Sequence, residues 1–560
     1  MGAIAGWIAA SRRAPEAEAL APMLGALAHR RGAADTRALV ESRRNYRVVL
    51  ANSAHDLRAG VSLALDGSID NRDELRRTLE LRSYVFNSRE DDELVLRAYQ
   101  HWDKDVVTRL RGRFALALWD ARKERLLLAR DRFGEKPLYL ADKDGVLYFA
   151  SEARALRSSL PLAVDPDAVR DCLVHGYVPG PRTMFAGVRK LAPATLALWQ
   201  FGKLRETRYW SLPDAATIPG KAGKGATEGF IDRLNEAVAL QTDERCGVLL
   251  SGGLDSAVLV ALASRRRAGI DTFSLGCASD RDSELPQAAQ IATHFSTRHH
   301  ELAAQPKDLV DGLSRVIALR DVPLALPSDL ALHFVAREAS HSCHALLSGD
   351  GADEVLGGYR RYVAAKFWPD AALRSHQQSL VLLAEDFPKA KNPIGKNLAG
   401  KRPEGSTDLR RMLYADQTTW LADNLLERDE RIGAASSLEI RLPFLDHRLA
   451  EYVSSLPDEQ RVHGLSTKWI LRRAARALLP GMPRRRKLGW PARAKEWLRG
   501  ELRESLGDHL QGTNAITRRY YRGETLDRAI DQHLKGKKDH GTLLWTLLNL
   551  EIWHRTCAQG

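Results

Sequence analysis

The stretch Leu249-Leu250-Ser251-Gly252-Gly253-Leu254-Asp255-Ser256 decides how the rest of this 560-residue chain is read. Just before and into it, Gly247-Val248-Leu249-Leu250 reads as a short buried strand. After it, Ala257 to Ser264 reads as the opening turns of a helix. A strand that empties through a tight turn into a helix N-terminus leaves backbone N–H groups pointing outward, which suits an anion. The glycines let the backbone approach a phosphate, and the Ser251 and Ser256 hydroxyls add donors. Asp255 is out of place beside phosphate unless a cation stands between them, which predicts Mg²⁺. Leu250, Ser251, Gly252, Gly253, Asp255 and Ser256 are the candidate nucleotide contacts here.

Neither GxxxxGK[ST] nor GxGxxG occurs in the chain. The octapeptide instead resembles the pyrophosphate-binding loop of enzymes that split ATP between its α and β phosphates and transfer AMP. A chain this long is expected to hold two or more domains. No run of 18 apolar residues and no basic-then-apolar leader is present, so neither a membrane span nor a secretory signal is expected. The five cysteines are scattered without metal-ligand spacing, and the expectation is a reducing, cytoplasmic compartment. Despite a net charge of +13, the basic residues are dispersed, apart from Arg265 to Arg267, Lys389 to Arg402 and Arg484 to Lys487. Nucleic acid is therefore not an expected partner.

Over the first 200 residues, short apolar or alternating runs recur at Ala3 to Ile8, Arg47 to Leu50, Val61 to Leu65, Arg113 to Trp119, Leu126 to Ala129 and Val146 to Ala150. Helical stretches such as Glu16 to Leu27 and Asp91 to Gln100 interrupt them. This predicts a sheet-rich domain in which Asp131 to Tyr139 forms a tight, charged turn between strands. With Gly112 to Asp120, Asp131 to Tyr139 and Phe149-Ala150-Ser151-Glu152 in view, the chain resembles the glutamine-dependent asparagine synthetases and their relatives from end to end. The resemblance implies an N-terminal αββα sandwich of the N-terminal-nucleophile hydrolase type over residues 1–210. It implies a parallel-sheet ATP-pyrophosphatase domain with a mostly helical extension over residues 226–560, an α/β chain overall.

Departures from that pattern cluster in the first domain. Gly2 stands where the family has its cysteine nucleophile, and no other cysteine precedes Cys172. Asp66-Gly67 replaces the asparagine-glycine pair that supplies oxyanion donors, and a carboxylate there repels a developing oxyanion. The arginine block that clamps glutamine's carboxylate has no counterpart between Val49 and Val61. Asp91 matches an amino-group anchor, but it is read here as a helix N-cap. The first domain is expected to be inactive as a glutaminase and to persist as a scaffold.

In the second domain, Asp271 to Gly276 reads as a parallel strand, and the resemblance places Leu275 against the adenine. Ala345-Leu346-Leu347-Ser348-Gly349-Asp350-Gly351-Ala352-Asp353-Glu354 repeats the strand-to-glycine-turn design with three acids crowded together. Buried without a cation, those acids would repel one another, and a divalent metal or a bound cationic group resolves the conflict. Parallel sheets gather ligands at their strand C-termini, so Asp255 and Asp353 are assigned to Mg²⁺, and Ser348 and Gly349 to the nucleotide. Asp350 is the candidate for deprotonating an amine or fixing a substrate amino group. Lys468-Trp469-Ile470-Leu471-Arg472 and Arg485 to Trp490 also match the family. Lys487 is assigned the catalytic role of offsetting charge on the α-phosphate. Glu430, Arg431, Glu439 and Arg441 read as a structural salt-linked network. Trp545 and Trp553 read as core residues on an amphipathic helix spanning Leu543 to Trp553.

The expected function is an ATP- and Mg²⁺-dependent synthetase. It adenylates a small-molecule carboxylate and lets an amine or ammonia attack, without hydrolysing glutamine and without nucleic acid or membrane, as a monomer or homodimer. An ammonia-dependent asparagine synthetase and a catalytically silent scaffold are the alternatives.

Overall fold

The computed structural model describes residues 2–9, 15, 17–30, 37–42, 46–52, 54–56, 59–212, 225–277, 284–367, 407–481, 494–512, 514–519 and 523–558. The chain divides into two compact units. One comprises Met1–Asp165 with Gly180–Leu212, and the other Pro166–Pro179 with Pro213–Gly560.

The first unit is built on two six-stranded sheets. One contains β1 (Ala5–Ala9), β2 (Arg37–Ser42), β3 (Arg47–Asn52), β8 (Tyr139–Lys143), β9 (Val146–Ala150) and β10 (Val188–Lys190), in the order β10-β8-β9-β1-β3-β2. The other contains β4 (Ala54–Asp56), β5 (Val61–Ile69), β6 (Gly112–Asp120), β7 (Arg125–Arg130), β11 (Thr195–Gln200) and β12 (Lys203–Arg208), in the order β12-β11-β7-β6-β5-β4. The period-two alternation of β6 shows why the layers form. Ala115, Ala117 and Trp119 pack with Ile8, Val48 and Phe149 of the opposite sheet. Phe114, Leu116 and Leu118 face the other way, onto Leu75 and Leu79 of the Arg72–Glu80 helix and Val95 of the Asp91–Trp102 helix. Helices Leu20–Ala26 and Ala153–Arg157 lie against β1 and β9, completing an αββα sandwich. The predicted charged turn is organised by one buried acid. Asp131 accepts backbone N–H bonds from Phe133, Gly134 and Glu135 on Oδ1, and from Lys136 on Oδ2.

Two features of the sequence reading are revised. Asp91 does not cap its helix: Glu90 holds that position, and the Asp91 Oδ2 accepts the Ile69 N–H at 2.8 Å. The helix carrying Trp545 and Trp553 runs from Gly541 to Trp553 and is buried on nearly every side, so it is a central helix rather than an amphipathic one. Both indoles are core residues, donating to the backbone carbonyls of Leu324 and Asp321. The residues predicted as a salt-linked network do form ion pairs. Arg441 holds Glu439 and Asp243, while Arg431 faces Glu430.

The second unit is centred on a five-stranded parallel sheet of β13 (Cys246–Leu249), β14 (Asp271–Cys277), β15 (Arg298–Ala304), β16 (Ala345–Leu347) and β17 (Glu439–Arg441), in the order β15-β14-β13-β16-β17. Its central strands are nearly all apolar, as strands covered on both faces must be. Strand β13 pairs directly with β16, Val248 opposite Leu347, so the two glycine turns leave the sheet side by side.

Candidate active site

The β13 turn is shaped by two glycines. Gly252 adopts φ +76, and a side chain there would reach within 3.0 Å of the Glu284 carbonyl oxygen. Gly253 begins the Leu254–Ser264 helix. The two hydroxyls brace the turn from inside. Ser256 Oγ lies 3.2 Å from Ser251 Oγ and donates to the Gly253 carbonyl, while Ser251 Oγ accepts the Gly253 N–H at 3.3 Å. Leu250 is tied to β14 by its N–H to the Phe273 carbonyl and by the Ser274 hydroxyl. Leu275 is a buried residue of the same strand.

On the neighbouring turn, Gly349 backs onto Asp255: a Cβ at position 349 would stand 2.9 Å from the Asp255 Cβ. That close approach brings Asp255 and Asp353 together, each in the first turn of its helix (Leu254–Ser264 and Ala352–Leu356). Between them stands a residue to which the sequence reading gave no role. Lys468 Nζ lies 2.7 Å from Asp255 Oδ2 and 2.7 Å from Asp353 Oδ1. The ammonium thus relieves the repulsion between Asp255 and Asp353. Lys468 is 5% exposed and sits at φ +52, a left-handed conformation that costs a non-glycine residue energy and that the surroundings must impose. Gly358 makes the room: a Cβ there would fall 1.7 Å from Asp353 Oδ1 and 2.2 Å from Lys468 Cε. A lysine opening an otherwise matching motif was the available signal, but only tertiary contact reveals its partners.

These residues also fit a magnesium ion shared with phosphate. Asp255 Oδ1 is buried with no hydrogen-bond partner among the described residues, an acceptor left over for a cation. No cluster of three or more metal-binding side chains occurs among the described residues. Magnesium needs none, because it is typically held by one or two carboxylates with the substrate's phosphates. Lys487 lies outside the described residues.

Asp350 completes the acidic turn. Its Oδ2 accepts from Ser348 Oγ at 3.0 Å and from Arg428 Nη2 at 2.7 Å. Beneath it, burial and the nearby Asp350 and Asp329 carboxylates push the Asp429 carboxyl up to about 8, against the pull of Arg428. Glu354 is pushed up to about 7 by burial and by Asp353, and it accepts the Tyr359 hydroxyl.

The N-terminal unit places its corresponding residues differently. Gly2 is packed so tightly that a Cβ would lie 2.0 Å from the Leu65 carbonyl oxygen. Asp66 is fully buried. Arg30 Nη1 reaches its Oδ2 at 2.7 Å, Ser151 Oγ donates to the same oxygen at 3.2 Å, and Lys136 Nζ lies 3.5 Å from Oδ1. Burial works to raise the Asp66 pKa, but Lys136 and Arg30 outweigh it and hold the carboxyl below the usual range. Glu152 is enclosed likewise by Arg30, His29 and Arg154.

Comparison with known proteins agrees with this division. Residues 229–555 match the asparagine synthase family and residues 1–210 match a glutamine amidotransferase domain. A putative glutamine-hydrolysing asparagine synthetase of Mycobacterium bovis is 32% identical over 552 residues, covering 88% of this chain and 84% of the relative. The glutamine-hydrolysing asparagine synthetase 1 of Bacillus subtilis is 28% identical over 540 residues, covering 88% and 85%. The amidase chry2 of Gibberella zeae is 25% identical over 514 residues, covering 75% of each.

Proposed function

The chain belongs to the asparagine synthase family of AMP-forming carbon–nitrogen ligases, and on that premise we propose that it is a specialised biosynthetic amide synthetase that does not use glutamine. The observation that carries this reading is the contrast between its two sites. The synthetase cleft keeps a braced phosphate turn, paired carboxylates and a lysine, whereas the glutaminase-like pocket has no room for a nucleophile at Gly2.

In this reading ATP lies on the Ser251 to Ser256 turn, with Ser348 and Gly349 beside it and the adenine against Leu275. Asp255 and Asp353 would hold magnesium, which supplies charge neutralisation on the phosphates. A substrate carboxylate attacks the α-phosphorus and expels pyrophosphate, giving an acyl-adenylate whose leaving group is AMP. Lys468, between Asp255 and Asp353, and Lys487 offset the charge that builds on the α-phosphate and on the tetrahedral intermediate. Asp350 receives the amine or ammonia that attacks the acyl carbon, and the products are an amide and AMP. Because glutamine is not hydrolysed, nitrogen comes from solution, from another protein or from the substrate itself. The acting species is a monomer or homodimer in the cytoplasm. Consistent with a small-molecule enzyme, no helix among the described residues is long and apolar enough to cross a membrane.

The test is an AMP-release screen over carboxylates with ammonium or added amines, followed by mass analysis. AMP with an amide product and no glutamate from glutamine is expected. Steady glutamate release, or ADP in place of AMP, overturns the reading. The relatives are named asparagine synthetases, which favours asparagine as the product of a second reading, an ammonia-dependent asparagine synthetase. Asparagine formed from aspartate and ammonium would establish it.

A further inference from the structure

Beneath Asp350 lies a chain of buried charge that neither nucleotide nor metal accounts for. The Asp350 side chain is 35% exposed, and the Arg428 and Asp429 side chains below it are 8% and 3% exposed. Arg428, on the Leu426–Ala435 helix, donates to Asp429 Oδ1 from Nε at 2.9 Å and from Nη2 at 2.8 Å. The same Nη2 donates to Asp350 Oδ2. Asp429 Oδ2 is buried and has no hydrogen-bond partner among the described residues. A third acid, Asp329 of the Ser328–Ala339 helix, is paired with Arg320 and adds negative charge nearby.

Stability does not explain this arrangement. Buried ion pairs can often be replaced by apolar residues at no loss, and an orphaned buried oxygen is a net cost. What the arrangement supplies is direction. One carboxylate oxygen engages two N–H groups of the guanidinium and fixes its plane, and the fixed Nη2 then holds one oxygen of Asp350. Ser348 Oγ braces that same oxygen, donating to it while accepting the Asp350 N–H at 3.3 Å. Asp350 Oδ1 makes no hydrogen bond among the described residues and is the oxygen left to meet a substrate.

We propose that Arg428, clamped by Asp429, is a positioning residue that holds Asp350 in one orientation so that its remaining oxygen meets the attacking amine. This rests on the reading of the cleft as the place of adenylation and amine attack. Removing the clamp leaves the nucleotide turn intact but lets the Asp350 carboxylate swing, so the amine step suffers more than adenylation.

The experiment compares two half-reactions in the full chain with the amino acid that gives the wild type its fastest ATP–pyrophosphate exchange. Hydroxylamine is the amine probe, read as hydroxamate. In Arg428→Met, hydroxamate formation is expected to fall by about 100-fold and exchange by less than about fivefold, with a raised KM for hydroxylamine. Asp429→Leu should show the same split, and Arg428→Lys should recover about tenfold of the loss. Equal losses in both half-reactions, or none, would overturn the proposal. A crystal structure of Arg428→Met tests it without activity: several Asp350 rotamers are expected, and one unchanged rotamer refutes the positioning role. Absence of exchange in the wild type with every amino acid would count against the adenylating reading instead, and the rotamer test would still decide this one.

Discussion

Asp66, beside Gly67 within strand β5, and Asp255, just after the β13 glycine turn, are both aspartates paired with a cation. Asp66 is enclosed by Arg30, Lys136 and Ser151 and has no exposed surface. Asp255 keeps a side chain 17% exposed and shares the Lys468 ammonium with Asp353, with one oxygen still unpartnered. The first arrangement is closed to solvent: Asp66 Oδ1 accepts no hydrogen bond among the described residues, but Lys136 Nζ stands 3.5 Å from it inside the sandwich. The second sets two carboxylates against one ammonium and is partly open, which a nucleotide with its metal could use. The lesson concerns what separates a site that can receive a ligand from a closed ion pair: access beside a shaped backbone, and not the number of charges.

The comparison can be broken most severely at Asp66. Asp66→Asn leaves Arg30 and Lys136 facing a neutral amide inside the sandwich, and a loss of about 3–5 kcal/mol is expected, read as a lower thermal midpoint. Because the folded pKa of Asp66 is depressed, its stabilising contribution is present above the unfolded carboxylate value of about 3.9 and is lost as pH falls through the folded value. The midpoints of wild type and variant should therefore converge in acid. A gap that persists at low pH would mean that packing, and not charge, is responsible.

Lys468→Met comes next. Pyrophosphate exchange should fall by about 10²–10³-fold, as when a preorganised charge-stabilising donor is removed, while the first unit melts as before. Gly358→Ala should cost about 10²-fold in the same assay, because its Cβ would displace Asp353 and Lys468 together. The mildest test is Gly2→Cys. Restoring the cysteine should produce no glutamate and should destabilise the first unit by about 1–3 kcal/mol, since the Leu65 carbonyl occupies the space a side chain needs. Glutamate production by this variant would show that the pocket can still reopen.

Much of this was legible before any coordinates. The β13 and β16 turns announce themselves because their glycines and hydroxyls answer local backbone needs, and an apolar run before each marks a buried strand. The departures in the first unit were legible through single residues, Gly2 and Asp66. Less legible were β12, whose exposed Lys203 to Arg208 lacks apolar alternation, and three-residue strands such as β17 that exist only because a neighbour pairs with them. Lys468 and Arg428 were unreadable as site residues for the same reason. Their chemistry lies in Asp255, Asp353 and Asp350, all far away in sequence, and a basic residue looks alike whether it faces water or a carboxylate.

The Lys468–Asp255 contact joins residues 213 apart in the chain, and Asp353 enters from a third segment. Closing loops of that size costs entropy before any contact rewards it, so this meeting point forms only when the parallel sheet is already in register. Nucleotide affinity would then serve as a folding gauge for the second unit: a chain that binds ATP would have completed its sheet, and a translation intermediate ending before Lys468 lacks the ammonium that joins the two carboxylates.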